Sequence, residues 1–299
     1  VSDSNPPIPY VQSHPEDSPS WKVYCDDARQ ILHQLPAESI DCVVTSPPYY
    51  WQRDYGVDGQ LGMEPTVQGF VDNLLAVFAG VSHVLKPTGV MFLNLGDTFY
   101  NAKGRPHGRD SKHTARHLAR RQLRAVDGPG LGVPRKSLLG IPWRVALALA
   151  DSGWTLRSEI IWVRRSAMPE PTAHDRPWRQ HEHLFLFSKG VRYHFDRDGL
   201  EGEEDVWQIE PERRSSTRGL HYAPYPEALV RRCLSTGCPA DGTVLDPFAG
   251  GGTTLAVARS MNLNSVGVDL SATFCDVMAE RLGAAAPPTL EEGRAATAG

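Results

Sequence analysis

The chain is poor in cysteine, in net charge and in long apolar runs. Five of its 299 residues are cysteine, an odd number, and Cys233 and Cys238 have no second pair of Cys or His nearby. This excludes a disulfide framework and leads us to expect a reduced, cytoplasmic setting. No apolar run approaches the roughly 18 residues of a membrane-crossing helix, so no membrane association is expected. The first twenty residues lack the basic start and apolar stretch of a secretory leader. The formal charge is -4, from 31 basic and 35 acidic residues, which excludes a histone-like polycation but leaves room for a local basic face. Neither G-x-G-x-x-G nor G-x-x-x-x-G-K-[ST] occurs, so the common dinucleotide and phosphate-loop patterns are missing. His174, His181 and His183 lack the Cys or carboxylate spacing of a closed metal site, and no metal is expected.

Hydrophobic residues make up 40% of the chain, enough for a core and one large domain. Short β-rich runs alternate with amphipathic stretches. Strands are expected at Trp21 to Cys25, Ile40 to Thr45, Val90 to Leu95, Trp154 to Trp162, Leu184 to Ser188, Thr243 to Leu245 and Ser265 to Val268. Helices are expected at Ala28 to Leu35, Thr66 to Leu85, Pro142 to Ala150, Pro226 to Ser235, Thr253 to Met261 and Ala272 to Leu282, with Lys86-Pro87-Thr88-Gly89 stopping the second. Such alternation predicts an α/β fold with a mostly parallel, doubly wound sheet. Residues 1–20 and 283–299 read as loose ends around a domain over 21–282. Residues 101–136 interrupt the pattern with a basic insertion.

Two strand ends carry chemistry. The first is Asp246-Pro247-Phe248-Ala249-Gly250-Gly251-Gly252-Thr253-Thr254, between a strand and a helix. Its glycines remove Cβ atoms where backbone approaches a ligand. One strand later Asp269 stands where a carboxylate accepts hydrogen bonds from ribose hydroxyls. Asp246 would repel a pyrophosphate but suits an ammonium group. An ammonium and an adenosine in one ligand describe S-adenosyl-L-methionine. The second strand end is Thr45-Ser46-Pro47-Pro48-Tyr49. Its prolines fix φ and remove two N–H donors, leaving a rigid set of acceptors beside an aromatic face. That set suits a flat, amino-bearing ring.

Together these two motifs resemble those of the amino-group DNA methyltransferases of prokaryotic restriction–modification systems, in the permuted β-class order. Tyr24-Cys25-Asp26-Asp27-Ala28, Leu139 to Arg144, Glu159 to Trp162, Asp175-Arg176-Pro177, His181 to Lys189 and His221 to Pro226 resemble further blocks of that family. The likeness implies a Rossmann-like S-adenosylmethionine-dependent methyltransferase fold. It implies a catalytic set of Ser46, Pro47, Pro48 and Tyr49. It implies cofactor binding by Asp27, Thr45, His221, Tyr222, Ala223, Asp246, Pro247, Phe248, Ala249, Gly250, Gly252, Thr253, Thr254 and Asp269. Double-stranded DNA is the implied partner, with a cognate restriction endonuclease as companion and a monomer or homodimer as the assembly.

Within the family that the chain resembles, Ser in the first motif position, here Ser46, implies the N4 amine of cytosine as target; adenine-N6 chemistry is the alternative on the same scaffold. Methylation of RNA or a protein glutamine, and a DNA-binding module without activity, are further readings. Carbon-5 methylation is disfavoured, because no cysteine follows a proline. The target base must be flipped out of the duplex to be reached. DNA contact is expected from Lys103, Arg105, Arg109, Arg116, Arg120 and Arg121 in the insertion and from Arg164, Arg165 and Arg176, with 165–220 as the recognition region.

Overall fold

The chain runs through β1 (Val11–Gln12), β2 (Trp21–Cys25), α1 (Ala28–Gln34), β3 (Ile40–Thr45), α2 (Val67–Val84), β4 (Leu85–Leu95), α3 (Ile141–Asp151), β5 (Thr155–Arg164), β6 (His181–Ser188), β7 (Val206–Ile209), β8 (Ser216–Thr217), β9 (Leu220–His221), α4 (Glu227–Gly237), β10 (Thr243–Asp246), α5 (Thr253–Ser260), β11 (Asn264–Asp269) and α6 (Ala272–Arg281). The computed structural model describes residues 7–100, 133–134, 136–165, 174–200, 202, 204–211, 216–217, 220–221 and 225–283. Lys103, Arg105, Arg109, Arg116, Arg120 and Arg121 of the expected insertion, Tyr222, Ala223, and the tail from 284 lie outside the described residues, as does the side chain of His221.

Among the described residues, nine strands form one sheet in the order β1-β2-β11-β10-β3-β4-β6-β5-β7. β2, β11, β10, β3 and β4 run parallel. β6 runs antiparallel between β4 and β5, and β7 is parallel to β5. The expected mostly parallel sheet is present, with β6 antiparallel near one edge and β1 antiparallel at the other.

Alternating side chains split the core into two faces, as the pleat requires. Val43, Met91, Leu93, Phe185 and Phe187 pack with α1, α2 and α3. Cys42, Val44, Phe92, Leu184 and Leu186 pack with α4 and α5 on the other side. Each fully buried Phe contributes about 1.5–3 kcal/mol of burial free energy. β3 is buried along its whole length, as expected of a central strand between parallel neighbours. Asp41 pins its start: the carboxylate accepts from Lys86 Nζ at 2.7 and 2.8 Å and from the Thr243 N–H at 2.9 Å.

Three expectations are corrected here. Residues 10–13 are not loose: β1 pairs with β2, and the Tyr10 hydroxyl donates to Asp276 at 2.7 Å. The helix before Lys86 to Gly89 does end, at Val84, but the strand begins at Leu85 and not at Val90: Lys86 to Gly89 belong to β4, whose pairing with β3 shifts register between Ile40 and Cys42. The helix α2 is long and apolar enough by length and composition to cross a membrane. Phe70, Leu74, Val77, Phe78, Val81 and Val84 are instead buried in the core face it covers.

The strand order places β10 beside β3, although some two hundred residues separate them. From this point the chain builds outward in both directions. Open α/β sheets hold ligands at such a switch point, beyond the carboxyl ends of the strands.

Candidate active site

The two switch-point strands are joined at their ends by a buried hydrogen-bond hub. The Thr45 hydroxyl, at the end of β3, donates to Asp246 Oδ1 at 2.7 Å. The Phe248 N–H donates to the same oxygen at 3.1 Å. Oδ2 faces the hydroxyls of Thr254 at 2.6 Å and Tyr225 at 2.7 Å, and those two hydroxyls touch each other. A carboxylate offers about four acceptor sites, and these donors occupy them. Burial pushes the Asp246 carboxyl up, against the pull of its donors. The hub fixes the turn Pro247 to Gly252 over the sheet.

In front of that turn lies a cavity of about 400 Å³. Pro247, Phe248, Ala249, Gly250, Gly251 and Thr253 form one side of it. Asp269, from the end of β11, projects into the same space. Its oxygens accept the Gly250 and Ser271 N–H groups, each at 2.8 Å. Burial nevertheless raises its carboxyl to about 6. Leu270, Phe274 and Tyr55 add apolar wall, with the Tyr55 ring edge-on to Phe274 at 6.2 Å. Asp27 enters from the start of α1, which it caps. Arg29 holds the Asp27 carboxyl below the usual range through contacts of 2.9 and 2.5 Å.

The opposite side of the cavity is Ser46, Pro47, Pro48 and Tyr49 at the end of β3. The Ser46 hydroxyl donates to the Tyr49 hydroxyl at 3.3 Å, so its lone pairs stay available as acceptors. The Tyr49 hydroxyl donates to Glu182 Oε2 at 2.5 Å and lies 3.1 Å from Asn94 Oδ1. Burial and the Glu182 charge hold the phenol well above its ordinary range, so it stays a donor. Gly96 lies against the Tyr49 ring; any Cβ there would overlap ring carbons. Arg164 pairs with Glu182 Oε1 at 3.4 Å.

Most of the expected residues meet here, and four do not. Thr45, Asp246 and Thr254 stand behind the cavity, their polar atoms consumed by the hub. Asp246 is 1% exposed, so the expected ammonium contact at its carboxylate is corrected. Gly252 is a packing and turn glycine: its φ is +76°, and a Cβ would strike Met278 of α6. Arg164, expected on a DNA-facing surface, lines the cavity instead. Arg165 is exposed and donates to Gln208 at 3.1 Å, and Arg176 lies over the Phe99 ring at 3.7 Å. The expected set of site residues omits Asn94, Trp162, Glu182, Tyr225 and Gly251. All five line the cavity. The blocks containing Glu182 and Tyr225 are the signal that could have found them.

A nucleoside-type turn and a rigid acceptor turn share one cavity at the switch point of an open α/β sheet. This is the architecture of a Rossmann-like methyltransferase. The chain belongs to the DNA methylase family, whose profile matches residues 40–281. It is 39% identical to Type II methyltransferase M.XycI of Xanthomonas campestris pv. cyanopsidis, over 86% of this chain and 85% of that one. It is 36% identical to Type II methyltransferase M.SmaI of Serratia marcescens, over 88% and 91%. Among solved structures it resembles PvuII DNA methyltransferase (cytosine-N4-specific), with a TM-score of 0.66, 22% identity and coverage of 87% and 86%. It also resembles a DNA modification methylase of Thermus thermophilus, TTHA0409, in complex with S-adenosyl-L-methionine, with a TM-score of 0.61, 23% identity and coverage of 87% and 92%.

Proposed function

We propose that the protein methylates the exocyclic N4 amine of a cytosine flipped out of double-stranded DNA, with S-adenosyl-L-methionine as methyl donor. The observation that carries this reading is that Ser46 and Tyr49 line the same cavity as Phe248 and Asp269. The cavity suits the donor: a carboxylate for ribose hydroxyls lies beside apolar wall for a purine. When bound there, S-adenosylmethionine supplies an electrophilic methyl carbon on a sulfonium.

The chain's own residues orient and activate the amine. In free cytosine the amine's lone pair is delocalised into the ring. Ser46 Oγ and the Pro47 carbonyl accept its two hydrogens and favour a pyramidal, more nucleophilic nitrogen. Acceptors aimed in advance at developing charge are effective because they need no reorganisation. Holding the reacting atoms near contact contributes up to about 7–11 kcal/mol. The Tyr49 ring stacks on the base, offsetting part of the few kcal/mol that flipping costs. Arg165, Arg176 and the basic insertion serve the DNA backbone. A restriction endonuclease for the same site completes the system, as the Type II names of the relatives suggest.

Ser46 favours cytosine over adenine, and the cytosine-N4-specific neighbour shares the fold. The test is mass spectrometry of nucleosides from duplex DNA incubated with enzyme and donor. N4-methylcytosine is expected; N6-methyladenine alone would reject the cytosine assignment, and no methylated nucleoside would reject DNA as substrate.

A further inference from the structure

The methylation chemistry leaves a proton to dispose of. Once methylated, N4 carries a positive charge and two hydrogens, one more than the product keeps. The described contacts offer a path for it. Ser46 Oγ donates to Tyr49 Oη at 3.3 Å, and Tyr49 Oη donates to Glu182 Oε2 at 2.5 Å. These residues come from β3's end and from β6, and all three line the cavity. Two neighbours fix the path. Asn94 Nδ2 donates to the His183 carbonyl at 3.2 Å, which turns its own carbonyl toward Tyr49. Arg164 pairs with the outer oxygen of Glu182 at 3.4 Å. The side chain of Glu182 is only 15% exposed, so Tyr49 faces a carboxylate largely shielded from solvent.

We infer that Ser46, Tyr49 and Glu182 form a proton relay, with Glu182 as its terminal acceptor. The inference rests on the amine-methylation reading above. The N4–H bond breaks and its electron pair returns to nitrogen. That proton goes to Ser46 Oγ, the Ser46 proton moves to Tyr49 Oη, and the Tyr49 proton moves to Glu182 Oε2. Charge balances: the cationic amine and the carboxylate both become neutral. Glu182 touches no reacting atom and acts as a positioning residue through Tyr49. Before any transfer, its charge already polarises both hydroxyls and makes Ser46 a stronger acceptor.

Glu182→Gln keeps the size and an acceptor oxygen for Tyr49 but removes the basic site. Tyr49→Phe keeps the stacking ring but cuts the relay. In single-turnover methylation of duplex DNA each variant is expected to be about 100-fold slower than wild type. The double variant should be no slower than either single variant, whereas independent roles would multiply to about 10⁴-fold. Wild-type enzyme should run slower in deuterium oxide than in water, and both variants should lose that difference. Affinity for S-adenosylmethionine and for DNA, by calorimetry, should stay unchanged, which also shows that the variants fold. If Glu182→Gln keeps the wild-type rate, the carboxylate only holds the tyrosine and the relay is overturned; multiplicative losses would overturn it too. A wild-type enzyme that makes no methylated amine would instead defeat the functional reading.

Discussion

Donor affinity should depend on pH through one residue. Asp269 accepts a backbone N–H on each oxygen, from Gly250 and Ser271. About two of its four acceptor sites then remain for ribose hydroxyls. Burial has raised its carboxyl to about 6. Hydroxyls donate to a carboxylate and not to its protonated form, so binding selects the ionised state. Below about pH 6 the free protein must release a proton to bind. At pH 5 about one molecule in eleven is ionised, so the apparent dissociation constant should be about tenfold weaker than at pH 8, or ~1.4 kcal/mol. Calorimetry with S-adenosylmethionine between pH 5 and 8 measures this. Buffers of different ionisation heat reveal the released proton. Asp269→Asn should abolish the pH dependence. It should also weaken binding at pH 8 by about 10–100-fold, because the amide must turn its NH₂ toward one of two N–H groups. Asp246 also has a raised carboxyl, but it stands behind the cavity, so any slope persisting in Asp269→Asn would report it instead. A wild-type constant that stays flat from pH 5 to 8 would refute the placement of the ribose.

What the sequence discloses follows from how local each signal is. Trp21–Cys25 and Ile40–Thr45 have the bounds read from their apolar runs, because turn residues punctuate both ends. Val67–Val84 is legible from its periodicity, and Thr66 caps it by accepting the Gly69 N–H at 3.0 Å. Val206–Ile209 is not: four residues at a sheet edge owe their conformation to pairing with β5. Lys86 to Gly89 follow a helix that ends at Val84, as their breaker signal predicts, but pairing with β3 and the Lys86–Asp41 contact draw them into β4. In the site, the two turns are legible because each is a contiguous motif. Glu182 is not, since 133 residues separate it from Tyr49. The glycines of the turn read alike, yet Gly252 is committed to Met278 while a Cβ at Gly250 would meet open space. Asp246 misleads for a related reason. A carboxylate before a turn carries no mark of whether its acceptor sites are free, and here Thr45, Thr254 and Tyr225 reach it from three other places in the chain.

Ser46→Ala should slow single-turnover methylation by about 100-fold while leaving S-adenosylmethionine affinity unchanged, because it removes one acceptor of the amine; an unchanged rate would remove Ser46 from the mechanism. Asp246→Ala should act first on folding, to be read by urea unfolding. It strips the acceptor from the Thr45, Thr254 and Tyr225 hydroxyls and the Phe248 N–H, all around a site that is 1% exposed. Leaving a buried donor unsatisfied costs about 1–3 kcal/mol, and some of these hydroxyls can turn to the Val44 carbonyl, so a loss of about 3–5 kcal/mol is expected. Thr45→Val removes one of the same bonds and should cost about 1 kcal/mol alone but almost nothing in the Asp246→Ala background. A direct ligand contact at Asp246 would give the reverse: wild-type stability with lost donor affinity. The hub requires stability to fall even without ligand, because its buried bonds tie together the ends of two strands that pair side by side at the centre of the sheet.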